Sequence, residues 1–153
     1  MAAETPTVHA SAVLVGARAV LIRGPAGAGK SKLALALIDA AQAGLLAFAR
    51  LVGDDRVHLE PHHGRLVVRP APPLAGLIEV RGLGIRRLDH EPVAAVGLVV
   101  DLAADDAGRL PAGTAAVICG ISLPRLAVAA GAEASYPLLA RLRFAPGDIK
   151  PPS

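Results

Sequence analysis

Apolar runs of strand length alternate along the chain with turn-forming clusters, and one longer run has helical character. Val8 to Val15 reads as a strand, Gly16-Ala17-Arg18 as a tight turn, and Val20 to Arg23 as the return strand. Lys30 to about Ala43 is proline-free and rich in Leu and Ala; its apolar positions Leu33, Leu35, Leu37 and Ile38 go nearly all round, predicting a helix covered on more than one side, with Gly44 placed to end it. From Leu45 to Val52 the chain is apolar, and it turns abruptly acidic at Gly53-Asp54-Asp55-Arg56. Val57 to Glu60 and Arg65 to Arg69 form a predicted hairpin around Pro61-His62-His63-Gly64, followed by the stiff connector Pro70-Ala71-Pro72-Pro73. Leu77 to Arg87 embeds Glu79 and Arg81 among apolar residues and glycines, unusual for an ordinary strand, although a strand with one polar edge that ends in a turn has the same pattern. Ala94 to Leu102 and Ala115 to Val128 are predicted core strands on either side of the polar segment Ala104 to Arg109; Glu133 to Arg143 is a predicted closing helix, and residues 145–153 a tail. With no internal repeat and no polar linker, residues 1–153 are expected to form a single domain with its core at about 7–143.

Composition narrows the classes of function. Hydrophobic residues make up 53% of 153 and the mean hydropathy is +0.50, yet Arg18, Asp39, Arg50, Asp101, Gly and Pro interrupt every apolar run before it reaches the length of a membrane span. A soluble protein with no membrane partner is expected. The start, Met1 to Pro6, has no basic patch leading into an apolar core, so no export signal is expected. The single cysteine, Cys119, stands in an apolar run and is expected to be a buried structural thiol in a reducing cytoplasm. Net charge is +3, but the cations are scattered and the only aromatic residues are Phe48, Tyr136 and Phe144, which argues against nucleic acid as a partner. His62 and His63 lack further ligands at metal-binding spacing and read as an exposed turn.

Chemistry enters at Gly24-Pro25-Ala26-Gly27-Ala28-Gly29-Lys30-Ser31, which matches G-x-x-x-x-G-K-[ST] at every fixed position and lies between a predicted strand and a predicted helix. Glycines there leave backbone N–H groups free to turn onto phosphate oxygens, Lys30 is suited to the β and γ phosphates, and Ser31 Oγ to Mg²⁺. The alternative is a glycine turn that happens to contain Gly-Lys-Ser. The pair Asp54-Asp55, after an apolar strand, stands where a phosphate-loop enzyme keeps its metal-positioning acid.

Several stretches in order, Val8-His9, Gly24 to Ser31, Gly53-Asp54-Asp55-Arg56-Val57 and Glu79-Val80-Arg81-Gly82-Leu83-Gly84-Ile85, resemble the catalytic domain of HPr kinase/phosphorylase over most of residues 7–143. The last of these resembles the family's signature segment. The resemblance implies an α/β P-loop domain with a mixed or antiparallel β core, closer to phosphoenolpyruvate carboxykinase than to a doubly wound sheet. It implies ATP and Mg²⁺ as cofactors, an HPr-like phosphocarrier as protein partner, a cytoplasmic setting and a hexamer. It makes Lys30 the phosphate-loop lysine and Ser31 and Glu79 metal ligands, with Asp54 beside them, and Asp55 the group that accepts the serine proton. His9 matches a catalytic-site histidine, a satisfied strand histidine being the alternative, and Arg109 a late active-site arginine.

The sequence also departs from the family pattern. Val8-His9-Ala10 replaces Leu-His-Gly, the stretch between Lys30 and Asp54 is longer and that between Ile85 and Ala94 shorter, and the N-terminal domain of longer members is expected to be missing. Val128 to Glu133 has neither the lysine nor the arginine expected in the loop associated with dephosphorylation. A protein-serine kinase with weak or no phosphorolysis is therefore expected. A nucleotide-binding regulator of a nitrogen-type phosphotransferase system with little catalysis is the alternative, and a small-molecule kinase is disfavoured by the signature segment.

Overall fold

A computed structural model describes residues 6–107 and 115–144. Strands β1 (Thr7–Val15) and β2 (Arg18–Arg23) form an antiparallel hairpin, and a glycine-rich loop then leads into helix α1 (Lys30–Gln42). The strands β3 (Ala49–Gly53) and β4 (Arg56–His62) both run antiparallel to β1, β3 against Ala12–Val15 and β4 against Thr7–His9. They lie in line along β1, separated by Asp54-Asp55, and the pairing register with β1 shifts just before that pair, where Val52 is left over between Leu51 and Gly53. Such an interruption re-aims side chains out of the sheet. The strand β5 (Arg65–Pro70) returns beside β4, through a turn in which His63 and Gly64 both have positive φ, 50° and 77°. A 3-10 turn (Pro72–Leu74) leads to a separate two-stranded hairpin of β6 (Leu77–Val80) and β7 (Gly84–Arg87).

The strand β8 (Ala94–Leu102) joins everything. Its first residues pair antiparallel with β5 and the rest pair parallel with β2, closing a ring of β2, β1, β4, β5 and β8. The register slips at Gly97, where a Cβ would sit 2.7 Å from Arg18 Cβ. This bulge explains how Val96 and Val99 face the ring interior while Leu98 and Val100 face the helices. Strands β9 (Ala115–Ile118) and β10 (Ile121–Val128) extend the sheet beyond β8, with β10 parallel to it.

Two cores result. Ala12, Leu21, Val57, Leu66, Val68 and Val99 fill the ring, while Val20, Ile22, Leu51 and Val100 pack against α1 and against α2 (Ser135–Arg143). Helix α1 presents Leu33, Ala34, Leu37 and Ala40, a 3.6-period stripe, and Leu35 and Ile38 pack at its margins. Truncating the fully buried Leu37 to Ala would cost about 2–5 kcal/mol. Gly44 ends the helix as expected: at φ 82° it donates to Ala41 O and Leu45 donates to Ala40 O, the Schellman pattern.

Three expectations are corrected. Ala115 to Val128 is a hairpin with an exposed outer strand, because Cys119 and Gly120 adopt positive φ (51° and 78°) and turn the chain. Cys119 therefore lies exposed at the turn instead of buried. The closing helix starts at Ser135, two residues late, because the Glu133 carboxylate accepts the N–H groups of Ser135 (2.8 Å) and Tyr136 (2.9 Å) and so caps it from outside. Met1 to Thr5 and the expected tail at 145–153 lie outside the described residues.

Candidate functional site

The glycine-rich loop, Gly24 to Gly29, leaves the C-terminal end of β2 and enters α1. Gly27 and Gly29 have φ of 82° and 98°, a backbone that side-chain-bearing residues rarely adopt, and no side chain caps the N–H groups of the first helical turn. Gly24 is needed for another reason: a Cβ there would meet Leu102 Cβ at 3.0 Å, so the loop lies directly on the end of β8. Lys30 Nζ donates to Gly24 O (2.8 Å) and Pro25 O (3.1 Å), folding its ammonium over its own loop.

Asp54 is the hub. It is 3% exposed, and its carboxylate accepts from Ser31 Oγ (2.7 and 2.8 Å), from the fully buried Ser11 Oγ (2.6 Å) and from the backbone N–H of Glu79 (3.2 Å). Three strands and the first turn of α1 thus meet at one buried carboxylate. Ser11 escaped the sequence reading, since a small residue inside an apolar strand carries no motif; its separation from an acidic interruption in the facing strand was the only signal. The Glu79 side chain itself is exposed.

Asp55 is held quite differently. Its φ is 68°, in the left-handed region that a non-glycine residue occupies at a cost, and such strain clusters at functional sites. Ala10 N–H donates to its carbonyl (3.2 Å), and Arg56 N–H to that of Asp54 (2.8 Å). His9 Nδ1 stands 3.9 Å from Asp55 Oδ1 with both side chains more than half exposed. The structure therefore brings Ser31, Asp54 and the Glu79 backbone together, folds the Lys30 ammonium onto the loop's own carbonyls and sets His9 beside Asp55; Arg109 lies outside the described residues.

Behind the loop, Arg23 donates twice to Asp101 (2.7 and 2.8 Å), and Arg125 donates to Asp101 (2.5 Å) and to Asp106 (2.7 and 3.0 Å). These bonds tie the ends of β2, β8 and β10. Burial pushes the Asp101 carboxyl up, but the hydrogen bonds and charges of Arg23 and Arg125 outweigh it and hold the group below the usual carboxylate range. The bonds to Asp106 and Asp101 raise the Arg125 guanidinium further. A cavity of about 460 Å³ opens between the loop, α1 and residues 128–135. Lys32 is the cation in its lining, and the adjoining Glu133, held low by its bonds from Ser135 and Tyr136, is committed to capping α2. 

The side-chain atoms gathered here, the Asp54 carboxylate and the hydroxyls of Ser11 and Ser31, are all oxygens, which suits a hard divalent cation. Among the described residues no group of three or more His, Cys, Asp or Glu could hold a metal ion by itself, so phosphate oxygens and water must complete any such shell. No helix among them is long and apolar enough to cross a membrane.

Fold and site define an α/β protein in which a glycine-rich loop, a hydroxyl and a buried carboxylate converge at one end of a mixed sheet. Residues 1–90 match the model of the HPr serine kinase C-terminal domain, more than half of the chain, and the protein belongs to that family. The HPr kinase/phosphorylase of Lacticaseibacillus casei (strain BL23) is 39% identical over 84 residues, 54% of this chain and 24% of that protein. That of Lactobacillus delbrueckii subsp. bulgaricus is 37% identical over 100 residues, 65% of this chain and 29% of that protein. The chain thus spans about a quarter of the length of these relatives. The HPr(Ser) kinase/phosphatase of Coxiella burnetii has a similar structure, with a TM-score of 0.70 and 26% identity, covering 88% of this chain and 91% of that one.

Proposed function

We propose that this chain is the catalytic unit of an ATP-dependent protein-serine kinase acting on HPr or an HPr-like phosphocarrier in the cytoplasm. We read Gly24 to Ser31 as its P-loop, in a single domain laid out like phosphoenolpyruvate carboxykinase. The observation that carries the reading is the meeting of Ser31 with Asp54 at the loop, one residue from the exposed, strained Asp55. Ser31 Oγ, Asp54 and Glu79 would hold Mg²⁺, which supplies charge neutralisation at the β and γ phosphates when bound. Lys30 exchanges the Gly24 and Pro25 carbonyls for those phosphates. Asp55 accepts the proton of the acceptor serine while the serine Oγ–Pγ bond forms and the bond from Pγ to the bridging oxygen breaks; His9 orients Asp55. Donation from Ser31 to Asp54 leaves lone pairs of Ser31 Oγ for the metal. Arg109 is assigned to the developing charge on the transferred group by family resemblance, which also implies a hexamer.

The forward direction dominates in this reading. Phosphorolysis brings inorganic phosphate beside a phosphoserine, and the repulsion of two anions needs nearby cations. The loop 128–135 offers none, and Glu133 is spent on α2. Intact-mass analysis of the HPr-like carrier after incubation with the protein, ATP and Mg²⁺ tests the reading. One added phosphate is expected; an unchanged mass alongside measurable nucleotide binding selects the regulator instead. Pyrophosphate release from phosphorylated carrier and millimolar phosphate, as fast as the forward reaction, would overturn the directional claim.

A further inference from the structure

The β6–β7 hairpin pairs Leu77 with Arg87, Ile78 with Arg86 and Glu79 with Ile85. Directly opposed residues in an antiparallel pair share a face, so Glu79, Ile85 and Arg87 lie on one side and Arg86 lies with the buried Ile78 on the other. At the tip, Arg81 and Leu83 are exposed; Leu83 is 63% and Ile85 58% accessible, high values for side chains of this size. Arg81 and Arg87 have no carboxylate partner among the described residues, and no acidic residue occurs from Val80 to Leu88. The hairpin also touches the site, through the bond from Glu79 N–H to Asp54.

We infer that the Glu79 face of this hairpin, with Ile85, Arg87 and the tip residues Arg81 and Leu83, is the docking surface for the protein that presents the acceptor serine, which meets it with an acidic rim around an apolar patch. The inference rests on the kinase reading. A macromolecule that delivers a hydroxyl to Asp55 passes over the neighbouring strand; unpaired arginines select an acidic surface, and two exposed aliphatic side chains select an apolar one. A second copy docked through the same face about a two-fold axis would set these arginines against themselves.

Steady-state phosphorylation of the HPr-like carrier, with nucleotide affinity measured separately, tests it. Arg87→Glu is expected to raise the KM for carrier about tenfold or more, with nucleotide affinity unchanged, and the wild-type KM is expected to rise with salt. Arg86→Glu makes the same charge change on the opposite face and is expected to raise KM less than about threefold, since only long-range attraction is lost. Equal effects of the two substitutions, an unchanged KM for Arg87→Glu, or a shift of oligomeric state by light scattering overturns the inference. If wild type transfers no phosphate, the kinase reading fails by itself; fluorescence anisotropy of labelled carrier then reads docking directly, and absent binding or equal binding by wild type and Arg87→Glu overturns it.

Discussion

Asp54 and Asp55 are neighbours in sequence with opposite circumstances. Asp54 is buried, with hydrogen bonds to two hydroxyls and a backbone N–H drawn from β1, α1 and β6. Asp55 is exposed, carries a left-handed backbone and has His9 at 3.9 Å as its side-chain partner. A carboxylate that knits four elements together serves fold and site at once, whereas one held out in a strained turn has little to contribute to stability. Chemistry at an incoming hydroxyl needs the second kind, since Asp54 is buried among its donors whereas the Asp55 carboxylate is open to an approaching serine.

Substitutions can break this contrast. The largest effect is expected from Asp55→Asn, which should lower phosphoryl transfer by about 10²-fold or more, the usual yield of a positioned general base, while nucleotide affinity stays as in wild type. Transfer at the wild-type rate in a rapid-quench assay would remove Asp55 from that role. Lys30→Ala and Ser31→Ala should each weaken ATP–Mg²⁺ binding tenfold or more by calorimetry, about 1.4 kcal/mol. Unchanged affinity in both would end the phosphate-loop reading.

Stability sharpens the comparison from the other side. Ser11→Ala leaves a buried carboxylate short of a donor and should cost about 1–3 kcal/mol in urea unfolding. In the same measurement Asp55→Gly should hold or slightly raise the midpoint, because glycine accepts φ 68° without strain. A loss as large as that of Ser11→Ala would show that Asp55 is structural after all. The smallest effect concerns Asp101. Its pKa is lowered on folding, so its contribution is fully present above the unfolded value near 3.9 and is lost as pH falls through the lower folded value. The stability difference between wild type and Asp101→Asn should therefore be constant at neutral pH and shrink below about pH 4. A difference that grows on acidification contradicts the assignment.

Much of this was legible in the sequence because local rules governed it. The period of α1, its end at Gly44, the hairpin at His63-Gly64 and the strand–loop–helix order around Lys30 each depend on a few consecutive residues. What stayed hidden depends on distant partners. The acidic pair reads as the end of a strand, yet the strand continues past it, because β1 supplies a partner on both sides of the interruption. Ser11 acquires meaning only from Asp54, 43 residues away. Cys119 misled because an apolar run does not reveal that two of its residues turn the chain. Glu133 reads as the first residue of the closing helix, and only the structure shows its carboxylate capping that helix from outside.

The closing strand β8 has a consequence for how the protein comes into being. Arg23, the residue before the loop, is clamped to Asp101, which lies 78 positions later in the chain. The family model matches residues 1–90, but β8 begins at Ala94. During synthesis the glycine-rich loop, the acidic pair and the signature segment all leave the ribosome before the strand that gives the loop its floor. A nascent chain halted at residue 90 would carry the signature segment without the strand on which the loop rests, and the long-range parallel pairing of β2 with β8 can begin only after that strand is made.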